Sequence, residues 1–366
     1  MTTATAHPAT RSRRRIIRTA AALLAAGALA LSGCAGGTPD TASAGGGDEP
    51  AELKPMTVVT FLPLESFTFT PEMFAYSGGY FEKHGLDVEL QPVQGTSAAI
   101  QSLLGGAADI TRASTVDVFP AMEDGQPIRS VGTMAYKSNL RMVSVEDAPI
   151  ESPEDMEGKT IGMGSVGGTS EKILDLTLGA ADIPQDSVTR QAVPVTAATL
   201  EVVRQGQLDG YIVSLDTSIG IGAQNDDAVI DDAGLSEAPD IQTWLTTASN
   251  IEDPQKAENI QAFLAAIREA VQDVIDDAPN DFENVLKTLR DSGDWAFPAL
   301  EDDAVATAAL EVYTTETWVD QSGEASLLEN NLDAWQATYD AYVDAGMLEG
   351  GQDPTDWITD ELLPAE

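Results

Sequence analysis

Cysteine is nearly absent: the 366 residues contain one, Cys34. An intrachain disulfide is therefore excluded, as is any cysteine-rich metal site. Histidine is almost as scarce, and His84 is the only one beyond the N-terminal leader. A His-dependent triad or a zinc cluster is poorly supplied, so no catalytic residues, metal or cofactor are expected. Cations are few, 19 Lys and Arg against 60 Asp and Glu, for a net charge of −41. Such a chain has no basic footprint for nucleic acid. The acidity implies a solvated surface, or a saline habitat, and says little about a ligand. The GxSxG nucleophile turn and the GxxxxGK[ST] phosphate loop are also missing. Carboxylates are so numerous that counting does not exclude a glycosidase-like pair.

At the start, Arg11, Arg13, Arg14, Arg15 and Arg18 precede a small, mostly apolar run, Ile16 to Leu31. This reads as an export signal over residues 1–33, too short and wrongly flanked for a structural span. Leu31-Ser32-Gly33-Cys34 resembles a lipoprotein box, which implies cleavage before Cys34, lipidation of its thiol and anchoring to the outer face of the cell membrane. Ser12 to Arg18 also resembles a twin-arginine signal, although the general export route uses similar starts. Residues 34–55, rich in Gly, Ser, Thr and Ala, read as a flexible tether. The remainder exceeds a comfortable single core, so two lobes are expected.

The most informative stretch is Lys159 to Leu178. A short strand, Thr160 to Met163, runs into a glycine-rich turn and then an apolar helix whose first N–H groups point back at that turn. Gly162, Gly164 and Gly167 fit GxGxxG literally, but glycine is abundant and no second strand ends near Asp182 or Asp186. The first lobe reads as strand 57–62, helix 71–81, strand 86–92, and a helix capped by Thr96 or Ser97 with Ile100, Leu103 and Leu104 on its apolar face. A strand from Asp109, a helix over 116–124 and strands 128–135 and 140–145 follow.

The pattern returns a hundred residues on. Val88, Gln91, Val93, Thr96, Ala98, Gly106 and Asp109 correspond to Val188, Gln191, Val193, Thr196, Ala198, Gly206 and Asp209. Each copy reads strand, turn, helix, Gly-x-x-Asp, strand, which supports two similar α/β lobes with parallel sheets and right-handed crossovers. Ligands of such sheets sit beyond the carboxyl ends of the strands. Six loops are so placed: 61–70, 94–97, 111–115, 164–170, 194–196 and 214–216. The lobes are expected over 56–140 and 141–240, with residues 241–366 returning to the first. There Ile260, Phe263, Leu264, Ile267, Val271, Val274 and Ile275 form one helical stripe, and Leu328, Leu332, Trp335, Tyr339 and Val343 another.

Three stretches carry a family resemblance: Tyr80-Phe81-Glu82-Lys83-His84-Gly85-Leu86-Asp87-Val88, Gly106-Ala107-Ala108-Asp109-Ile110, and Ser152 to Gly162 (SPEDMEGKTIG). With Gly206-Gln207-Leu208-Asp209-Gly210 as the counterpart in the second half, the chain resembles the substrate-binding proteins of ABC importers, in the nitrate/sulfonate/taurine and thiamine-pyrimidine group (SsuA/THI5-like, NMT1-like). The resemblance implies a type II periplasmic-binding-protein fold with parallel-rich sheets, and a monomer outside the cell. It further implies capture of a small molecule by closure of the lobes and delivery to a permease with its ATPase.

The substrate-binding candidates follow from the six loops and the crossover between lobes. Phe67 and Phe69 would stack on a ring, and Ser97 would offer a hydroxyl at a helix start. Arg112 would hold a carboxylate or sulfonate through two hydrogen bonds, with Ser114 and Thr115 beside it. Tyr136 and Asn139 fall at the crossover. Ser165, Thr169, Ser170 and Thr196 serve the second lobe, and Asp216 suits an amine. Arg112 and the helix starts favour a sulfonate, nitrate-like or carboxylate anion. Phe67, Phe69 and Asp216 favour a thiamine-precursor pyrimidine or related heterocycle. An extracytoplasmic enzyme acting on a small solute is the remaining alternative.

Overall fold

The computed structural model describes residues 52–364, so the leader, Cys34 and the tether as far as residue 51 lie outside the described residues. Ten strands and twelve α-helices alternate. In the first half they are β1 (Lys54–Thr60), α1 (Thr70–Ser77), α2 (Tyr80–Lys83), β2 (Leu86–Pro92), α3 (Thr96–Leu104), β3 (Ile110–Ser114), α4 (Thr115–Glu123) and β4 (Ile128–Ala135). The second has β5 (Leu140–Val145), β6 (Thr160–Met163), α5 (Thr169–Ala180), β7 (Thr189–Ala192), α6 (Leu200–Arg204), β8 (Gly210–Ser214), α7 (Leu215–Gln224) and β9 (Ala228–Asp231). The chain ends with β10 (Gln242–Thr247), α8 (Ala248–Glu252), α9 (Pro254–Asp276), α10 (Glu283–Ser292), α11 (Asp303–Val312) and α12 (Leu332–Asp344).

Two five-stranded sheets result, in the orders β2-β1-β3-β10-β4 and β7-β6-β8-β5-β9. Both are mixed rather than parallel throughout. β1 runs parallel to β2 and β3, while β10 is antiparallel to β3 and β4. In the second sheet β6 runs parallel to β7 and β8, while β5 is antiparallel to β8 and β9. This is an α/β fold with helices on the sheet faces.

The repeat read from the sequence has a backbone cause. Asp109 accepts the Thr57 N–H at 2.9 Å, and its own N–H donates to the Thr57 carbonyl. Asp209 does the same with Thr160, accepting at 2.8 Å. Each aspartate thus pins the strand after the Gly-x-x-Asp step to the strand that began the unit. Gly106 and Gly206 precede them at φ +72 and +68, the left-handed conformation that ends a helix without a Cβ clash.

Several local expectations need correction. Residues 54 and 55, assigned to the tether, already belong to β1. The helix over 71–81 breaks into α1 and α2 because Gly79 turns left-handed at φ +75. α3 begins after Gly95, and neither Thr96 nor Ser97 supplies a side-chain cap. In the last stripe Leu332 is half exposed, and the buried face of α12 is Trp335, Thr338, Tyr339 and Tyr342. The C-terminal third returns to the first sheet through β10, but α11 also packs against α7.

The apolar interior has one part beneath α1, α2 and α9, where the expected stripe Ile260 to Val274 is buried. A second part crosses between the halves, joining Val59, Ile100 and Phe119 to Met142, Ile161 and Ile173, with Trp335 and Tyr342 packed on Phe119. Gly162 sits in β6 where an added Cβ would lie 2.8 to 3.0 Å from side-chain atoms of Val193, Tyr211 and Leu208. That glycine is kept by packing, not by a dinucleotide. Gly162→Ala should lower unfolding free energy by about 1–3 kcal/mol in denaturant titration, as overpacking does.

Candidate functional site

Ser66, just after β1, caps the 3-10 turn Phe67–Phe69, and its hydroxyl donates across to Asp216 at 2.8 Å. Asp216 stands in the first turn of α7, beyond β8. On the opposite diagonal, Thr169 at the start of α5 donates to Asp117 in the first turn of α4 at 2.9 Å, and Lys172 pairs with the same carboxylate. The two contacts take similar places in the two halves, although Asp117 aligns with Thr217 and not with Asp216 when Asp109 is set against Asp209. Thr57 and Thr160 are equivalent through their aspartates, and Ser66 stands as far from Thr57 as Thr169 does from Thr160. The carboxylates likewise open the helices after the equivalent strands β3 and β8. Two hydroxyl–carboxylate contacts therefore join the loops beyond the carboxyl ends of β1, β3, β6 and β8.

Near the first contact lies a polar cluster. Tyr313, on a turn of π-helix ending α11, is fully buried, stacks on Trp318 and accepts from the Asn139 amide at 2.9 Å. The Asn139 carbonyl in turn accepts the first N–H of α7. Burial pushes the Asp216 carboxyl above its ordinary range, opposed by hydrogen bonds from the Ser66 and Ser214 hydroxyls and from backbone N–H groups. The Asp216 charge further raises the Tyr313 phenol, which burial already lifts.

Arg112 is not an open cleft charge. It is 1% exposed, its guanidinium lies 4.8 Å from the Phe69 ring centre, and it donates to the Thr68 carbonyl at 2.9 Å. Its Nε faces Glu72 Oε1 at 3.4 Å, and Glu72 is fully buried too. Burial pushes the Glu72 carboxyl up and the facing guanidinium opposes that shift. The pair is a neutralised internal bridge, because an unpaired cation at that depth would cost several kcal/mol. Phe67 and Phe69 are core residues, Phe67 edge-on to Phe297 and Phe69 tilted on Phe61.

The other expected contacts divide similarly. Ser114 caps α4 and donates to Asp240, while Thr115 bonds Tyr342 Oη at 3.1 Å. Tyr136 donates to the Glu329 carbonyl at 2.6 Å and so braces the crossover. Ser97, Ser165 and Thr196 are exposed, and Ser170 is half-buried in the first turn of α5. In the glycine turn, the Gly167 N–H is taken by the Glu171 carboxylate, which also faces Arg190. A carboxylate thus occupies the helix start at which an anion was expected. A cavity of about 770 Å³ lies elsewhere, beside β2 and lined by Leu64, Tyr76, Glu89 and Trp295 among others; none of the expected site residues lines it. Sequence reasoning missed Ser66, Glu72, Asp117, Asp240 and Tyr313. Asp117 and Glu72 carried a weak signal, acidic residues in first helical turns; the rest carried none. Among the described residues no group of three or more His, Cys, Asp or Glu could hold a metal ion.

Two mixed sheets, related by an internal repeat and facing across the carboxyl ends of their strands, define the periplasmic-binding-protein class. A family model described as NMT1/THI5 like matches residues 66–280. The match covers more than half of the chain, which belongs to that family. The periplasmic aliphatic sulphonate binding protein SsuA from Escherichia coli is similar in structure, with TM-score 0.62 and 15% identity over 84% of this chain and 98% of that one. The periplasmic nitrate-binding protein NrtA from Synechocystis PCC 6803 gives 0.58 and 16% over 85% and 87%. The desulfurization enzyme DSZB gives 0.54 and 14% over 84% and 97%. At these identities the likeness is one of fold. No curated protein sequence matches the chain.

Removing both cross-contacts in Ser66→Ala/Thr169→Val deletes two hydrogen bonds to charged groups, each worth about 1.5 kcal/mol or more. Small-angle scattering of the ligand-free variant should show a larger radius of gyration than the parent. Asp240 supplies a pH test, since burial raises its pKa to about 6. The folded state holds this proton more tightly than the unfolded chain, so the group's contribution to stability falls as pH rises from about 4 through about 6. Asp240→Asn should flatten that slope and raise stability at pH 7 by roughly 2–3 kcal/mol, read by denaturant titration across pH.

Proposed function

We propose that this chain is the extracytoplasmic receptor of an ABC importer, which closes on a small solute and delivers it to a permease and its ATPase. Two lobes, residues 56–140 with 241–366 and residues 141–240, would move about the crossover braced by Tyr136 and Asn139. A lipid on Cys34 would hold the body near the permease and raise its effective concentration there. Membership of the NMT1/THI5-like family supports the receptor role.

The ligand class rests on one observation, the disposal of charge. Arg112 is already matched by Glu72, and the start of α5 is occupied by Glu171. Asp216 is buried at the seam with neutral donors alone. A cationic or N–H-rich solute, such as a protonated nitrogen heterocycle, would relieve that carboxylate, whereas a sulfonate or nitrate would meet its field. The arrangement therefore favours the heterocycle over the anion that the residue types alone suggested. Native mass spectrometry of protein purified without refolding should retain a neutral or cationic nitrogen heterocycle. Calorimetry with that solute should show at least tenfold weaker binding to Asp216→Asn, about 1.4 kcal/mol, because the substitution keeps the acceptor for Ser66 and removes the charge. Retention of an anion with unchanged affinity in that variant would refute the ligand class. Chemical turnover of the solute would refute the receptor reading.

A further inference from the structure

β2 is the outer strand of its five-stranded sheet and pairs with β1 alone. At the two ends of that ladder Lys54 donates to the Gly85 carbonyl and Val93 to the Thr60 carbonyl. Bonded residues alternate along a parallel ladder, so the odd-numbered residues of β2 face β1. The N–H and carbonyl groups of Val88 and Leu90 therefore point away from it. Among the described residues nothing takes those groups. Both residues line the cavity of about 770 Å³ beside this strand. Val88 and Leu90 pack on one face of the sheet with Trp295, whereas Asp87 and Glu89 stand exposed on the other. All five line the cavity, which thus runs along the strand edge and has walls from both faces. Tyr76, 40% exposed, meets Trp295 edge-on at 5.9 Å on the apolar side. Glu65 and Asp294 bring the carboxylates in the lining to four; it holds no Lys, Arg or His, and none of the four has an ion-pair partner among the described residues.

We infer that the β2 edge docks an extended basic segment of a second polypeptide, which adds a sixth strand to the sheet. An added strand lies about 4.8 Å from its neighbour, within the cavity, and its main chain satisfies Val88 and Leu90. Its side chains alternate as those of β2 do. Lys or Arg falls beside Asp87 and Glu89, and apolar residues fall against Leu90 and the Tyr76–Trp295 pair. Charges on an edge strand guard it against unwanted pairing. Here they repel a second copy of a chain with net charge −41 and admit a cationic strand. Pro92, without an N–H, closes the carboxyl end of the free edge.

The test compares a heptapeptide of alternating Lys and Val with its isomer of four Lys followed by three Val, by calorimetry and amide hydrogen exchange on the purified chain. The alternating peptide should bind at least tenfold more tightly, slow exchange at Val88 and Leu90, and weaken as salt rises. Asp87→Lys/Glu89→Lys, at two exposed positions, should lose at least tenfold in affinity with an unchanged melting profile. If that variant does not fold, Trp295→Ala reads the apolar wall and should also weaken binding. Equal binding of the two isomers, or unaltered exchange at Val88 and Leu90, would reduce the contact to charge attraction and overturn the docking edge. Failure of the parent protein to bind the alternating peptide would overturn it as well, and neither result touches the receptor reading.

Discussion

The two hydroxyl–carboxylate contacts across the seam, Ser66 to Asp216 and Thr169 to Asp117, are what the remainder of the molecule arranges. Each needs a strand that ends in a loop on one side and a strand that opens a helix on the other. The aspartates of the Gly-x-x-Asp steps fix those strand pairs in register, and the glycines before them let each helix end where the strand must begin. The contacts are also interchangeable with solvent. A serine or threonine hydroxyl gives up a carboxylate far more cheaply than a packed apolar face separates, and the halves are joined by such a face as well, from Val59, Ile100 and Phe119 to Met142, Ile161 and Ile173.

Charge is distributed unequally about that seam. Asp117 has Lys172 beside it, whereas among the described residues no cation pairs with Asp216. Arg112, the arginine expected to meet a ligand, is turned inward onto Glu72 and the Phe69 ring. Such a bridge contributes little net stability, because desolvation of both ions offsets their attraction, but it holds the loop after β1 firmly to the end of β3. Paired in this way, the guanidinium is withdrawn from solvent.

What could be read from the chain, and what could not, follows the range of the interactions. The strands and helices of the two units were legible because periodicity and glycine stops are local. The repeat survived in sequence because Asp109 and Asp209 do the same backbone work. The antiparallel strands within each sheet were not foreseen, since β10 pairs with β3 from more than a hundred residues away. The same distance hid the fate of the site residues. Arg112 looked available until Glu72, forty positions earlier, was found against it. Phe67 and Phe69 occupy the predicted loop, but both are buried, Phe67 against Phe297 and Phe69 beneath the Arg112 guanidinium.

The internal repeat relates the backbones of the two halves more closely than their side chains. The second half has a glycine turn already held by Glu171, and the two carboxylates differ in their company. A seat built from matching frames with unlike fittings has a head and a tail. A lopsided cargo would lie in it one way round, and so would reach whatever receives it with the same end always leading.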